Sequence, residues 1–276
     1  MPVPLPPSIG QRPRGDRVAG KVAIVTGGNA GVGRAAAELL AREGARVVVA
    51  ARTVATGEET VRLIAQAGGE AIFVRTDVGR EEDCVALVAA TVRRFGRVDV
   101  LVNNAGIYPR ATLTETTIAL WREIMATNLE GPLVLCREAV PQMIAGGGGS
   151  IINVGSGNAL GGAANLTPYS VSKGGLWTLT RNIAAAFIGD NVRANYLNPG
   201  WNHTETEKKV QALEGHDEAW LAAAAANLAA GRAADPSDAA YVILWLASDE
   251  SSYVNGQDIS TDSGAHRGPR RAAPPA

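Results

Sequence analysis

Lysine is scarce in this chain. Of the 26 basic residues among 276, four are Lys (Lys21, Lys173, Lys208 and Lys209) and 22 are Arg. An excess of charge of one sign is lacking too. The 26 basic and 27 acidic side chains leave a formal net charge of −1, so no long-range field draws the protein to nucleic acid or to an anionic membrane surface. The two cysteines, Cys84 and Cys136, are too few for a disulfide framework and stand in no metal-spaced cluster, which suits small buried hydrophobes in a reducing compartment. The three histidines, His203, His216 and His266, do not cluster with carboxylates, so no metal site is expected. No apolar run approaches the ~18 residues of a membrane span. The Pro/Arg-rich first nineteen residues hold no apolar stretch of signal-peptide length. These absences point to a cytoplasmic protein with a small-molecule partner and no partner in nucleic acid or membrane.

Glycine is abundant, at 32 residues, and hydrophobic residues make up 46%, too many for a disordered chain. Seven short apolar runs, rich in β-branched residues, lie at 22–25, 46–51, 71–74, 98–102, 150–154, 192–197 and 257–261. Runs apolar on both faces fit the strands of a parallel sheet covered on both sides. Helical periodicity marks 33–43, 81–95, 120–144, 169–188 and 237–247. The last begins with Asp235 as N-cap and Pro236 at the first helical position. The alternation predicts one doubly wound α/β domain over 19–265, with about seven parallel strands and helices on both faces. The Ala-rich segment 201–232 falls outside it and reads as a helical insertion over the sheet edge. Residues 1–18 and 266–276, rich in Pro, Arg and Ala, are expected to be flexible tails.

Ligands in such sheets bind beyond the C-terminal strand ends. After the first strand comes Thr26-Gly27-Gly28-Asn29-Ala30-Gly31-Val32-Gly33, where glycines allow close approach to a pyrophosphate and the following helix offers free N–H groups. Alone, such a turn in a glycine-rich chain is a weak signal. The second strand ends Ala51-Arg52-Thr53 with no carboxylate for a ribose hydroxyl. Arg52 there suits a 2′-phosphate and favours NADP(H) over NAD(H), the plain alternative being a solvated loop arginine. Tyr169 and Lys173 stand four apart on one helix face. An ammonium beside a phenol favours the phenolate, so the pair is a plausible proton-transfer device. Ser156 closes the fifth strand with no His or Asp placed to make it a nucleophile. Asn128 sits inside a helical pattern, where an amide is more often merely tolerated.

These residues together resemble the short-chain dehydrogenase/reductases of the ~250-residue type. The resemblance covers about residues 18–265, with seven motifs in order: Thr26-Gly27-x3-Gly31-x-Gly33, Asp77-Val78, Asn103-Asn104-Ala105-Gly106, Asn128, Ser156, Tyr169-x3-Lys173, and Asn198-Pro199-Gly200 followed by Thr204. It implies a Rossmann-like fold and a ketone or aldehyde interconverted with an alcohol. It assigns catalysis to Asn128, Ser156, Tyr169 and Lys173. Tyr169 would be the acid/base and Ser156 would polarise the substrate oxygen. Lys173 would bind the nicotinamide ribose and lower the Tyr169 phenol, and Asn128 would hold a relay water. The cofactor would meet Thr26, Gly27, Asn29, Gly31, Val32, Gly33, Arg52, Asp77, Val78, Asn104, Ala105, Gly106, Tyr169, Lys173, Pro199, Gly200, Asn202 and Thr204. A homo-oligomer, tetramer or dimer, is implied as well.

This sequence departs from the family pattern at Gly155-Ser156, at Asp262-Ser263-Gly264 and at Trp201-Asn202, where an aliphatic residue is usual two before the Thr and Asn202 is expected to change the contact to the carboxamide. Substrate walls are expected from 107–110, 158–166 and 201–228, with Tyr108, Asn158, Trp201 and His203 beside Ser156 and Tyr169. That mixture suits a compact substrate with polar and apolar faces. Two other readings share the scaffold: a cofactor-binding regulator without turnover, which would be expected to have lost Tyr169 or Lys173, and an NAD-dependent alcohol or sugar dehydrogenase.

Overall fold

Each of the seven apolar runs forms a strand. In the computed structural model, which describes residues 14–262, they are β1 (Val22–Thr26), β2 (Arg46–Ala51), β3 (Glu70–Arg75), β4 (Val100–Asn103), β5 (Gly149–Val154), β6 (Val192–Asn198) and β7 (Asp258–Ser260). All pair in parallel in the order β3-β2-β1-β4-β5-β6-β7. The central strands β1, β2 and β4 are buried on both faces, which is why they read as continuous apolar runs rather than alternating ones.

The helices are α1 (Gly31–Arg42), α2 (Val54–Gln66), α3 (Glu81–Phe95), α4 (Ile118–Met125), α5 (Gly131–Ala145), α6 (Asn158–Gly161), α7 (Thr167–Phe187), α8 (Glu205–Leu213), α9 (Glu218–Ala226) and α10 (Pro236–Ala247). On one face of the sheet Leu39 and Leu40 of α1 and Ile64 of α2 join Ile243 and Leu244 of α10 in one apolar cluster. On the other face Leu87 of α3, Leu135 of α5 and Ile183 of α7 form a second. At roughly 25 cal/mol per Å² of apolar area, these two clusters are the main source of stability. Asp235 is the N-cap of α10, as the sequence predicts, and Asp238 completes a capping box with it.

The differences from expectation have physical reasons. The sequence gives no sign of α2, because only Gly57, Thr60 and Ile64 of its thirteen residues are buried, too thin an apolar stripe to show as a period. The expected helix at 120–144 is two helices joined by a wide π-turn at Ala126–Glu130, a feature that recurs at functional sites. The segment 201–232 is helical, as expected. It forms α8 and α9, and residues from Trp201 to Glu214 line a cavity at the C-terminal strand ends. Residues 14–18, expected within a flexible tail, are held. The Val18 N–H donates to the Glu43 carbonyl at 3.1 Å, Arg14 bonds the Gly68 carbonyl, and Arg17 pairs with Glu250. The rest of both expected tails, and the Ser263-Gly264 departure, lie outside the described residues. Among the described residues no helix is long and apolar enough to cross a membrane.

Candidate active site

Strand order reverses direction between β1 and β4, and the chain leaves these strands to opposite sides, opening a crevice at their C-terminal ends. There lies a cavity of about 1500 Å³. That exceeds the ~300–1,000 Å³ of an ordinary ligand pocket and leaves room for a dinucleotide and a second molecule.

One end is built from main chain. The turn after β1 carries Gly27 at φ 64° and Gly31 at φ 51°, left-handed values that a side chain would strain. Asn29, Ala30, Gly31 and Val32 line the cavity. Ala30 caps α1 without a side-chain hydrogen bond, and no acidic residue occupies the first turn. The free N–H groups and positive dipole end therefore face the crevice, as an anion requires. Gly33 and Thr26 act differently from expectation. Neither lines the cavity. A β-carbon on Gly33 would stand 2.2 Å from the Gly27 carbonyl oxygen and 2.5 Å from Asn104 Nδ2, so this glycine lets helix and turn approach. The buried Thr26 hydroxyl accepts the Asn104 and Ala105 N–H groups, each at 3.0 Å, and Asn104 Nδ2 returns a bond to the Thr26 carbonyl at 2.9 Å. They splice the turns after β1 and β4.

Arg52 lines the cavity beyond β2 and is exposed. Asp77 and Val78 line it beyond β3, and Asp77 Oδ1 accepts the Gly79 N–H at 3.0 Å. Ala105 and Gly106 follow beyond β4.

At the other end stand Ser156, Tyr169 and Lys173. Ser156 follows β5, where the Tyr196 hydroxyl accepts its N–H at 2.7 Å and donates to its carbonyl at 3.1 Å. Its Oγ accepts the Asn158 N–H at 3.2 Å. One turn apart on α7, Lys173 is buried and Tyr169 half-buried, with the Lys173 Nζ 5.8 Å from the Tyr169 ring centre. Lys173 donates to the Val154 carbonyl at 2.8 Å, and desolvation lowers it to about 8. The expected lowering of Tyr169 is not found. Burial holds its phenol above the ordinary value, with the Ser156 hydroxyl pulling it down, the Glu207 charge pushing it up and Arg110 opposing Glu207.

Asn128 is fully buried in the π-turn and lines no part of the cavity. Its side chain accepts the Ile107 N–H at 2.9 Å and donates to the Ile107 carbonyl at 2.8 Å and to Ser172 Oγ at 3.2 Å. It fastens the loop carrying Tyr108 to α7, and its amide is committed to that task. The wide turn that presents it left no periodic trace in the sequence.

Tyr108, Asn158 and Trp201 line the cavity, and the Tyr108 ring meets that of Tyr169 edge-on at 6.0 Å. His203 is exposed and absent from the wall; its N–H donates to the Ala234 carbonyl at 2.9 Å. Glu207 and Gln211 of α8 and the Arg110–Glu214 ion pair at 3.1 Å are in the wall too, within the expected segments 107–110 and 201–228 but not singled out by the sequence. Ordinary helix-surface residues carry no signal until the lid is placed.

The chain's own groups fit a nicotinamide dinucleotide. In the cavity wall, Asn202 Nδ2 donates to the Pro199 carbonyl at 2.7 Å and the Gly200 carbonyl at 3.3 Å. Those two acceptors fix the amide's orientation, and its buried Oδ1 is left with no partner, an acceptor for a donor such as a carboxamide. A cleft with an anion cradle at one end and a phenol–ammonium pair at the other defines a dinucleotide-dependent oxidoreductase.

The comparisons with known proteins agree. The Enoyl-(Acyl carrier protein) reductase family model matches residues 27–266. A probable short-chain type dehydrogenase/reductase of Bradyrhizobium diazoefficiens is 41% identical over 272 residues, covering 94% of this chain and 95% of that protein. The trans-4-hydroxycyclohexanecarboxylate dehydrogenase of Sinomonas cyclohexanicum is 36% identical, covering 92% and 95%. Among solved structures, a Beutenbergia cavernae protein assigned as an NAD(P)-dependent gluconate 5-dehydrogenase, with NADP bound at low occupancy, superposes with a TM-score of 0.83 at 37% identity, covering 92% and 98%. Levodione reductase superposes at 0.86 with 28% identity, covering 90% and 98%. The chain belongs to the short-chain dehydrogenase/reductase family, whose members are NAD(P)-dependent oxidoreductases.

Proposed function

We propose that this protein interconverts a ketone or aldehyde and the corresponding alcohol on a compact substrate, with NADP(H) preferred. The observation that carries the reading is that Ser156, Tyr169 and Lys173 line one cavity with the Ser156 hydroxyl beside the Tyr169 phenol. The nicotinamide, when bound, supplies or takes the hydride. Ser156 donates to the substrate oxygen. Tyr169, whose raised phenol keeps its proton at neutral pH, gives that proton to the developing alkoxide in reduction and takes it back in oxidation. Lys173 holds the ribose and stands as the nearby cation. Asn128 acts as a positioning residue through Ile107 and Ser172.

Gly27, Asn29, Gly31 and Val32 receive the pyrophosphate, with Gly33 and Thr26 shaping the turn. Asp77 and Val78 take the adenine side, Asn104, Ala105 and Gly106 the ribose side, and Pro199, Gly200, Asn202 and Thr204 the nicotinamide side. Arg52 takes the 2′-phosphate, a preference supported by the absence of any carboxylate in its turn. Residues 19–265 act as one catalytic domain in the cytoplasm, with 201–232 as its lid. Exposed Leu133 and Ile144 on α5 and Val171 on α7 suit a homo-oligomer.

The test is a screen of ketones and alcohols with both nicotinamides, read by reduced-nicotinamide absorbance, repeated with Tyr169→Phe. Turnover should fall about 10²–10⁴-fold in the variant while NADPH still binds. Undiminished turnover refutes the role of Tyr169.

A further inference from the structure

Two carboxylates of the 201–232 segment line the cavity without a role so far; Glu214 is paired with Arg110, and Glu207 has no such ion pair among the described residues. Glu207 of α8 lines the same wall as Tyr108, Ser156 and Tyr169. Trp201 Nε1 donates to its Oε1 at 2.9 Å, and Gln211 Nε2 donates to the same oxygen at 2.8 Å. Gln211 is 6% exposed, and its own Oε1 stands 2.7 Å from His216 Nδ1. A flipped Gln211 amide would set oxygen against carboxylate, so the amide has one orientation and His216 carries its proton on Nδ1. The His216 ring stacks on Trp220 at 3.6 Å and 4°, and Trp220 meets Trp201 edge-on at 6.4 Å. Four side chains thus close a loop that holds a single carboxylate in place.

No ion pair among the described residues neutralises Glu207. Of the cations in 201–232, Lys208 is taken by Glu205 and Arg232 by Asp238, and neither they nor Lys209 line the cavity; Arg110 at the rim is taken by Glu214. The charge of Glu207 is felt by both phenols of the site, Tyr108 and Tyr169. Two N–H donors meet on one oxygen, and the Tyr108 hydroxyl is hydrogen-bonded to the same carboxylate, so Glu207 and Tyr108 present one polar, anionic group on the cavity wall.

We propose that Glu207, with the Tyr108 hydroxyl beside it, is the specificity-determining pair. It accepts a hydrogen bond from a hydroxyl or ammonium group on the substrate, remote from the reacting carbonyl, and repels a carboxylate there. The substrate class is a hydroxylated or amino-substituted ketone and its alcohol. This rests on the reading of Ser156 and Tyr169 as the reacting end. A site built to bond a hydroxyl discriminates against a substrate that lacks it, because the polar pair then faces apolar substrate surface with no partner from it. An anion in its place adds like-charge repulsion.

The experiment measures kcat/KM for a ring ketone bearing hydrogen, hydroxyl, ammonium or carboxylate across the ring, in the unaltered protein and in Glu207→Gln, Tyr108→Phe and Tyr169→Phe. The unaltered protein should prefer the hydroxyl and ammonium ketones and turn over the carboxylate least. Glu207→Gln should shrink the ratio of ammonium to carboxylate roughly tenfold to hundredfold, the span of one charge-assisted hydrogen bond, with KM carrying most of the change. Tyr108→Phe should lower the hydroxyl-to-hydrogen ratio several-fold, and it decides the matter if Glu207→Gln does not fold. Unmoved ratios, or a carboxylate preference in the unaltered protein, overturn the proposal while leaving the reacting end intact. Turnover undiminished by Tyr169→Phe, or none of any ketone, overturns the reading beneath it.

Discussion

The two ends of the cavity are made differently. At the nucleotide end the contact surface is main chain: glycine turns, an uncapped helix start, and strand ends spliced by Thr26 and Asn104. At the substrate end it is side chain: Tyr108, Trp201, Glu207 and Gln211 on a loop and a lid, joined by a chain of hydrogen bonds and rings. Main chain can be shaped only by the presence or absence of a β-carbon, so that end tolerates almost no change. Side chains can be exchanged on a fixed helix, so that end is where members of one family can come to differ.

Three substitutions would break or sharpen this contrast. The largest effect is expected from Gly33→Ala, whose new methyl would collide with the Gly27 carbonyl and Asn104. Because backbone cannot step aside, this should cost about 3 kcal/mol and abolish measurable nicotinamide binding, read by denaturant unfolding and cofactor titration. An alanine variant of ordinary stability and affinity would contradict a cradle set by close approach.

Next is Lys173→Met, probed through pH. Folding lowers Lys173 from 10.5 to about 8. The unfolded chain therefore binds the extra proton between these values, and stability contributed by this group rises with pH across that window. Below pH 8 burial of the ammonium is a standing cost. The thermal stability of Lys173→Met relative to the unaltered apoprotein should thus be most favourable below pH 8 and decline by about 3 kcal/mol at most towards pH 10.5. A difference flat in pH would mean that Lys173 is not desolvated in the apoprotein.

The smallest is Arg52→Asp, at the exposed margin of the nucleotide end. Loss of one charge-assisted bond should cost about 1.5–3 kcal/mol of NADPH affinity and move preference towards NADH, seen as a ratio of kcat/KM. An unchanged ratio would leave Arg52 a solvated surface residue.

The same contrast explains what could be read before any fold was known. Strands buried on both faces write themselves as apolar runs, so β1, β2 and β6 stood out, and a glycine turn after β1 needs no partner to be noticed. Asn128 was visible only through resemblance, because a π-turn has no period of its own and the amide's partners, Ile107 and Ser172, are remote in sequence. Glu207 was invisible for a related reason. On α8 it looks like any solvated glutamate, and only the placement of Trp201 and Gln211 around it gives the residue its meaning. His203, expected in the wall, is exposed and does not line the cavity.

The packing of α1 against α10 on one face of the sheet bears on how the chain is born. The helix that presents the phosphate cradle leaves the ribosome some two hundred residues before its apolar partners Ile243 and Leu244. At roughly 5–20 residues per second of synthesis, Leu39 and Leu40 wait on the order of ten seconds or more for their cover. The ion pairs Arg17–Glu250 and Lys21–Asp249 close across the same seam. The helix at the phosphate turn is therefore translated well before its packing is complete, and a nascent chain halted before α10 would display an unshielded α1 to chaperones.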